Sequence, residues 1–285
     1  MDAQQIFSDI GALGLNLYSA ALYTPDGIHS QFFQPCSNCH NSYSVAKLFI
    51  VTALGMLVDD GMIRVDDPLG DYFSFPSDAD PRFKTATIEH AMTHRLGFDE
   101  GFLDIDTEDV TQYPTDDYLS IVLRHPLAHD PGTHEQYSDA AYYLLSRLIS
   151  KVTGEKADTF LNRRLIRPLC FHEAAWSRCP SGYPIGATGL YISSADMVKL
   201  GALYLKGGVW QEKAFFSRGW ADTAIVNSYE LHSLAPDTPG SDLTGKWGMY
   251  GQLVCFSRKK GFAFACHAHI KCDSKNRMTE YLSRL

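Results

Sequence analysis

The stretch Ser44-Val45-Ala46-Lys47, with the apolar run Leu48–Val58 that follows it, decides how the rest of the chain is interpreted. The run is too long for an ordinary strand, and Gly61, after two acidic residues, is typical of a helix end. The sequence therefore predicts a helix buried nearly all round, with Ser44 in its first turn. Lys47 would be the one charge on that helix, and burial disfavours the charged form of an ammonium and lowers its pKa.

Ser44 and Lys47 are three residues apart, so a helix would place them on one face. A lysine driven toward neutrality beside a serine hydroxyl can activate that hydroxyl as a nucleophile. The N–H groups and positive dipole end of a helix N-terminus would stabilise a developing oxyanion. The alternative is a helix cap beside a snorkelling lysine. The same spacing recurs from Ser257 to Lys260, but in a charged turn, where we expect the lysine to be simply solvated.

Composition and charge limit the possible partners. The chain has 285 residues, of which 45% are hydrophobic, so it can form one large domain or two intertwined ones. Its net charge is −8 and it has no basic block, which argues against binding to nucleic acid or to an anionic membrane. The N-terminus lacks the pattern of a signal peptide, and no apolar run reaches membrane-spanning length. These features predict a cytoplasmic protein.

The cysteines suggest free thiols and raise one metal question. An odd count of seven without a secretion signal is typical of unpaired thiols: Cys36, Cys39, Cys170, Cys179, Cys255, Cys266 and Cys272. Cys36-Ser37-Asn38-Cys39-His40 matches the c-type haem attachment pattern, and Cys36, Cys39 and His40 could bind zinc with a fourth ligand. The simpler interpretation is a loop with two free thiols. We predict no cofactor and no metal, with a metal or redox module as the least favoured function.

Strand-like and helical patterns divide the chain into three parts. Strand-like runs lie at both ends: Asn16–Tyr23, Ile28–Phe33, Gly186–Ile192, Gly248–Phe256 and Phe262–Ala268. The middle is mostly helical, with caps expected at Thr87 and Asp139 and a structural role for His90 and His94. The pattern predicts an α/β domain formed by residues 1–65 and 186–285 and a helical subdomain over 66–185, with the active site in the cleft between them.

Two further segments could complete a catalytic site. Tyr137-Ser138-Asp139 follows a Pro-Gly turn and begins a helix, a place where a tyrosine can transfer protons. The alternative is a core tyrosine with Asp139 as an N-cap. Lys246-Trp247-Gly248 opens a strand, where a cation and a glycine could bind a substrate carboxylate at close range. The alternative is an ordinary turn into an edge strand.

Together the three segments resemble the serine β-lactamase-related hydrolases of class C type, with the penicillin-binding proteins, D-amino-acid peptidases and family VIII carboxylesterases. Ser44–Lys47 is similar to the first motif, Tyr137–Asp139 to the second and Lys246–Gly248 to the third. Thr93–Gly97 resembles the family's His-x-x-Gly turn, and Gly186–Tyr191 resembles the strand after its helical insert. The resemblance implies a β-lactamase/transpeptidase-like α/β (α+β) fold, with an antiparallel sheet flanked by helices plus an all-helical subdomain.

The resemblance also implies a role for each residue of the predicted site. Ser44 would be the acylated nucleophile, and Lys47 and Tyr137 would share proton transfer. Backbone N–H groups of Ser44 and Met249 would form the oxyanion hole. Lys246 would favour anionic substrates and assist Tyr137. The predicted residues for substrate binding and the oxyanion are Asp139, Lys246, Trp247, Gly248 and Met249.

Two departures from the family pattern affect the expected activity. Asp139 stands where the family has an amide, and an ionised carboxylate can only accept hydrogen bonds. Trp247 replaces a hydroxyl residue and would narrow the cleft. We predict a serine hydrolase that acts through an acyl-enzyme on a small ester, amide or peptide, as an esterase, a D-amino-acid amidase or peptidase, or a weak β-lactamase. The alternative is a turnover-deficient member that binds or senses a ligand, as a penicillin-binding-type protein.

Overall fold

The computed structural model describes residues 1–271 and 275–285, and the chain divides into two compact units. The first, here called the sheet unit, comprises Met1–Leu48, Leu165–Ala175 and Leu190–Leu285. The second, the helical unit, comprises Phe49–Arg164 and Trp176–Gly189. The boundaries predicted at residues 65 and 186, and the cleft predicted between the two domains, stay predictions.

The secondary structure alternates short strands and helices. The α-helices are α1 (Ala3–Ala12), α2 (Ala46–Asp59), α3 (Ile88–Met92), α4 (Tyr118–Arg124), α5 (Asp139–Thr153), α6 (Ala157–Leu161), α7 (Ser194–Leu205), α8 (Arg218–Val226) and α9 (Lys275–Arg284). The strands are β1 (Leu17–Thr24), β2 (Gly27–Phe32), β3 (Cys39–Asn41), β4 (Ala174–Trp176), β5 (Leu190–Ser193), β6 (Val209–Trp210), β7 (Lys213–Ala214), β8 (His232–Ser233), β9 (Thr244–Trp247), β10 (Leu253–Ser257) and β11 (Phe262–Ala268).

The sheet unit contains an antiparallel sheet whose described strands follow the order β2-β1-β11-β10-β9-β8. The strands predicted over Asn16–Tyr23 and Ile28–Phe33 are confirmed as β1 and β2, which pair as a hairpin, and Gly27 closes its turn at φ +128°. Strand β11 is buried along its whole length, as a central strand packed on both faces should be, whereas the edge strand β2 is mostly exposed. A smaller sheet joins β3, β5 and β4.

Helices cover both faces of this sheet. Phe262, Phe264 and Cys266 on one face of β11 belong to an apolar cluster that includes residues of α1 and α9. Helix α7 packs against β1, β10 and β11, and Ala263 contacts it on the opposite face. The helix approaches closely because it carries Gly201, where an added Cβ would lie 3.1 to 3.3 Å from atoms of two strands. The predicted antiparallel sheet flanked by helices is confirmed.

The helical unit is built around α5. This helix is buried on all sides from Asp139 to Ser146, contacts α3, α4 and α6, and ends at Gly154, which takes the left-handed conformation at φ +71°. The predicted Thr87 cap is confirmed, and His90 completes it, since its Nδ1 accepts from the Thr87 N–H. The predicted Asp139 cap is wrong. Ser138 occupies the N-cap position and Asp139 is the first helical residue.

Two predicted strands are shorter than their apolar patterns. The strand predicted from Gly186 begins only at Leu190, because Gly186 and Gly189 take positive φ. The strand predicted from Gly248 begins only at Leu253, after a 3₁₀ turn over Met249–Gly251, and Lys246 lies on its own strand, β9. In both places a glycine is needed for close approach or a turn, which the apolar pattern does not reveal.

Several further expectations concern the termini and the thiols. Cys272 lies outside the described residues. The six cysteines that are described are free, which confirms the predicted thiols at those positions. Within the described part of the chain, none of the helices combines the length and apolar character needed to cross a membrane.

We expect Gly201→Leu to lower the free energy of unfolding by about 2 kcal/mol, because the side chain would overpack the contact of α7 with the sheet. Chemical denaturation of the purified variant measures this. Gly219→Leu is the matched control, since Gly219 is also helical, and among the described residues outside its own helix backbone and chain neighbours, an added Cβ would meet only Ser217 Oγ, at 3.6 Å. Equal stability losses in both variants would contradict the packing argument.

Candidate active site

Ser44 lies in a 3₁₀ turn over Tyr43–Val45, immediately before α2 begins at Ala46. The turn is tight, because Tyr43 takes φ +47° and its N–H donates to the Asn41 side chain at 2.9 Å. Ser44 was predicted in the first turn of the helix itself, and the structure places it one turn earlier. Its hydroxyl therefore projects from a sharp bend at the helix N-terminus, where backbone N–H groups converge.

Lys47 is fully buried, with 0% of its surface exposed, and its Nζ donates to Ser44 Oγ at 3.2 Å. The predicted burial is confirmed. The residues that follow it on α2, Leu48 to Leu57, are also buried. The spacing of three residues brings the two side chains together across the junction of the 3₁₀ turn and α2.

The third segment lies against the turn that carries Ser44. Strand β9 ends at Trp247, and a Cβ added to Gly248 would lie 2.5 Å from the Ser42 carbonyl oxygen and 3.3 Å from Tyr43 Cβ. Only glycine fits such an approach. Within the sheet unit, the structure therefore brings together Ser44, Lys47 and the Gly248–Met249 backbone, as the family resemblance implies.

A buried amide network holds the turn that contains Met249. Gln252 Nε2 donates to the carbonyl oxygens of Met249 at 3.0 Å and Ala268 at 2.8 Å. Its Oε1 lies 2.9 Å from His267 Nδ1, which must donate to it in the neutral ring. The sequence analysis missed Gln252. Its one signal is a lone amide at the start of a wholly apolar strand.

Lys246 is also buried, with 6% of its surface exposed, and it forms an ion pair with Glu230, which is 1% exposed. Glu230 precedes β8, whose residue His232 pairs with Gly245 of β9. Glu230 takes φ +57°, and the exposed His232 ring approaches its carboxylate at 3.9 Å. The sequence analysis missed Glu230 as well, since nothing local links it to a lysine sixteen positions later.

The helical unit contains Tyr137, whose ring is 45% exposed and packs on the buried His94 ring with centroids 4.4 Å apart. His94 Nδ1 accepts from the Ser138 N–H at 3.2 Å, and its carbonyl oxygen accepts from the Gln136 N–H at 2.8 Å. His94 thereby fixes the backbone on either side of Tyr137. The predicted structural role of His94 is confirmed by these contacts.

Asp139 is buried in the same unit and lies in an acidic cluster. Carboxylate oxygens of Asp104, Asp106 and Asp139 lie within 4.8 Å of one another, a spacing that could hold a cation. Among the described residues, no such group includes Cys36, Cys39 or His40. Cys39 Sγ instead contacts Glu173 at 3.7 Å, and His40 stacks on the Tyr18 ring.

The sequence model of the family described as Beta-lactamase matches residues 38–279, which is most of the chain. The chain belongs to the Beta-lactamase family. The match spans every segment of the candidate site, from Ser44 to Met249. It confirms the resemblance on which the predicted roles depend, and the β-lactamase/transpeptidase-like fold is confirmed with it.

Named relatives of this Beta-lactamase-family chain include hydrolases and penicillin-binding proteins. An Escherichia coli (strain K12) protein named "Putative D-alanyl-D-alanine carboxypeptidase" is 27% identical over 190 residues, covering 59% of this chain and 42% of its own length. "Penicillin-binding protein 4" of Amycolatopsis lactamdurans is 26% identical over 201 residues, covering 59% of this chain and 51% of its own length. The chain thus spans about half the length of these relatives.

Solved structures share the fold. A "Putative 6-aminohexanoate-dimer hydrolase from Bacillus anthracis" superposes with a TM-score of 0.81 at 13% identity, covering 99% of this chain and 80% of that one. At this identity the likeness concerns the fold alone.

The buried His267 predicts a specific acid sensitivity. Burial first, then the nearby His40, lowers the pKa of His267 from 6.5 to about 3. Between pH 6.5 and about pH 3, His267 is protonated in the unfolded chain and neutral in the folded chain. The free energy of unfolding therefore falls as pH falls. One such proton contributes about 1.4 kcal/mol per pH unit. Denaturant unfolding from pH 7 to pH 4 measures the slope.

We expect His267→Asn to remove this contribution, because asparagine keeps a donor for Gln252 and does not titrate in this range. His29→Asn, on the exposed edge strand β2, is the control that should keep the native slope. A His267→Asn slope equal to that of the native protein would show that the acid sensitivity arises elsewhere.

Proposed function

We propose that the chain is a serine hydrolase that acts through an acyl-enzyme on a small ester or amide, with Ser44 as the nucleophile. One observation carries the proposal: the fully buried Lys47 Nζ lies 3.2 Å from Ser44 Oγ. That separation is within reach of direct proton transfer. A helix cap beside a snorkelling lysine would leave the amine in water, so the burial favours the catalytic interpretation.

The proposed chemistry follows from these atoms. A neutral Lys47 amine takes the Ser44 proton while Oγ attacks the substrate carbonyl carbon. The resulting oxyanion is stabilised by the backbone N–H groups of Ser44 and Met249, and Tyr137 passes a proton to the departing alcohol or amine. Water then attacks the acyl-enzyme in the same way and releases the acid and the free serine.

The relatives' names favour substrates with an ester or amide bond. A carboxypeptidase, a penicillin-binding protein and a dimer hydrolase are among the named proteins with similar sequence or fold. Those names belong to longer or distant proteins, so only the shared bond type enters the proposal. Hydrolysis assays with a panel of nitrophenyl esters, nitrocefin and D-alanyl amides would identify the substrate class.

We expect a fluorophosphonate probe to label the native protein at Ser44 and to leave Ser44→Ala unlabelled. Lys47→Met should lower the labelling rate and ester hydrolysis by about 10³-fold or more, because it removes the base and keeps the side-chain volume. Lys260→Met is the matched control, since Lys260 belongs to the second Ser-x-x-Lys of the chain, in a surface turn. Labelling that survives Ser44→Ala would contradict the proposal.

The acidic cluster favours a second candidate function, a turnover-deficient member that binds a ligand. Asp139 shares its surroundings with Asp104 and Asp106, and an ionised carboxylate cannot donate a hydrogen bond to a substrate carbonyl as an amide can. This candidate expects a folded protein that is inert toward the whole substrate panel. Rapid hydrolysis of any member of the panel would exclude it.

We expect Asp139→Asn to raise kcat/KM for amide substrates by roughly tenfold, since one new hydrogen bond to the substrate is worth about 1.4 kcal/mol in the transition state. Steady-state kinetics of both proteins test this. Asp104→Asn is the matched control, because it removes one negative charge from the same cluster without supplying a hydrogen-bond donor at position 139. An equal gain in Asp104→Asn would attribute the effect to charge alone.

A further inference from the structure

We propose that Glu230 sets the charge preference of the site: by neutralising Lys246, it makes the site select substrates that are uncharged where they meet the third segment. The inference rests on the proposed function, and it replaces the expectation that Lys246 attracts anionic substrates. It assigns a specificity-determining role to Glu230, a residue outside the three motifs.

The burial of both partners makes the neutralisation effective. Lys246 and Glu230 are 6% and 1% exposed, so water screens their interaction little. A substrate carboxylate near Lys246 would also lie near the Glu230 carboxylate, and the attraction to one would be offset by repulsion from the other. An uncharged group meets no such repulsion and needs no desolvation of a second charge.

The backbone around Glu230 holds the carboxylate in this position. Ser228 and Glu230 both take positive φ, at +56° and +57°, which is costly for residues other than glycine. The neighbouring side chains of Tyr229 and Leu231 are buried, and Asn227 Nδ2 donates to the Tyr229 hydroxyl at 3.0 Å. The segment between α8 and β8 is thus fixed on both sides of Glu230, and its carboxylate is directed inward.

The pairing of β8 with β9 links the segment that contains Glu230 to the candidate site. His232 of β8 pairs with Gly245 of β9, so the chain from Glu230 runs beside the strand that carries Lys246. The same strand leads to Gly248, which lies against Ser42 and Tyr43 in the segment that carries Ser44. A change of charge at Glu230 therefore acts at the strand that borders the nucleophile.

A matched pair of esters tests the inference: the 4-nitrophenyl monoester of glutaric acid, which carries a free carboxylate, and its methyl ester, which is neutral. We expect the native protein to have the higher kcat/KM for the neutral ester. Glu230→Gln should shift the ratio toward the anionic ester by about tenfold or more, because it removes the negative charge that pairs with Lys246. Asp196→Asn is the matched control, as Asp196 forms an equally buried ion pair with Lys199 on α7.

A second variant guards against misfolding of Glu230→Gln. The double variant Glu230→Gln with Lys246→Gln removes both charges together, and its ratio should stay within about threefold of the native ratio. A selective fall in kcat/KM for the anionic ester in the double variant would mean that Lys246 attracts anions despite Glu230, and would overturn the inference.

A binding measurement separates this inference from the proposed function. Ligand-observed NMR titrations of Ser44→Ala compare monomethyl glutarate with dimethyl glutarate, with and without Glu230→Gln. If the native protein hydrolyses neither ester and the fluorophosphonate probe does not label Ser44, the proposed function fails, but a tenfold gain in monoanion affinity on Glu230→Gln would still support the charge assignment. If Glu230→Gln gains nothing toward the monoanion, in hydrolysis or in binding, the inference is overturned.

Discussion

The withdrawal of the Lys47 amine from water beside the Ser44 hydroxyl is the constraint on which the rest of the sheet unit depends. Burying an ammonium costs several kcal/mol unless it is compensated, and Lys47 has none of its surface exposed. The cost is tolerated because the amine has a polar atom within reach, at 3.2 Å. In the proposed mechanism this amine is the base that takes the serine proton.

The end of strand β9 approaches the segment that carries Ser44 closely. Gly248 lets β9 end against the Ser42 carbonyl oxygen, and Gln252 anchors the Met249 carbonyl oxygen from the following strand. A fixed carbonyl fixes the plane of its peptide and so constrains the backbone of the turn from which Met249 projects its N–H. His267 supports Gln252 and stays neutral because it is buried, so the network carries no charge that could shift the turn.

The parts of the structure that depend on local pattern could be predicted from the sequence. The first hairpin, the buried helix and the extent of β11 follow from turn residues and apolar runs, which act over a few positions. The turn at Ser44 and the 3₁₀ turn after Gly248 could not be predicted in the same way. Their conformation is set by backbone contacts between residues about two hundred positions apart. Glu230 was missed because strand pairing, and no local pattern, brings it to Lys246 sixteen positions later.

The two buried lysines of the candidate site differ in what compensates them. Lys246 pairs with the Glu230 carboxylate, an opposite charge that is also buried. Lys47 contacts a hydroxyl, which can give up a proton as well as accept a hydrogen bond. A base must be able to lose and regain its proton within one reaction cycle, whereas a residue that shapes specificity must keep a constant charge. In the proposed mechanism, Lys47 therefore serves proton transfer, and Lys246 with Glu230 serves electrostatic balance.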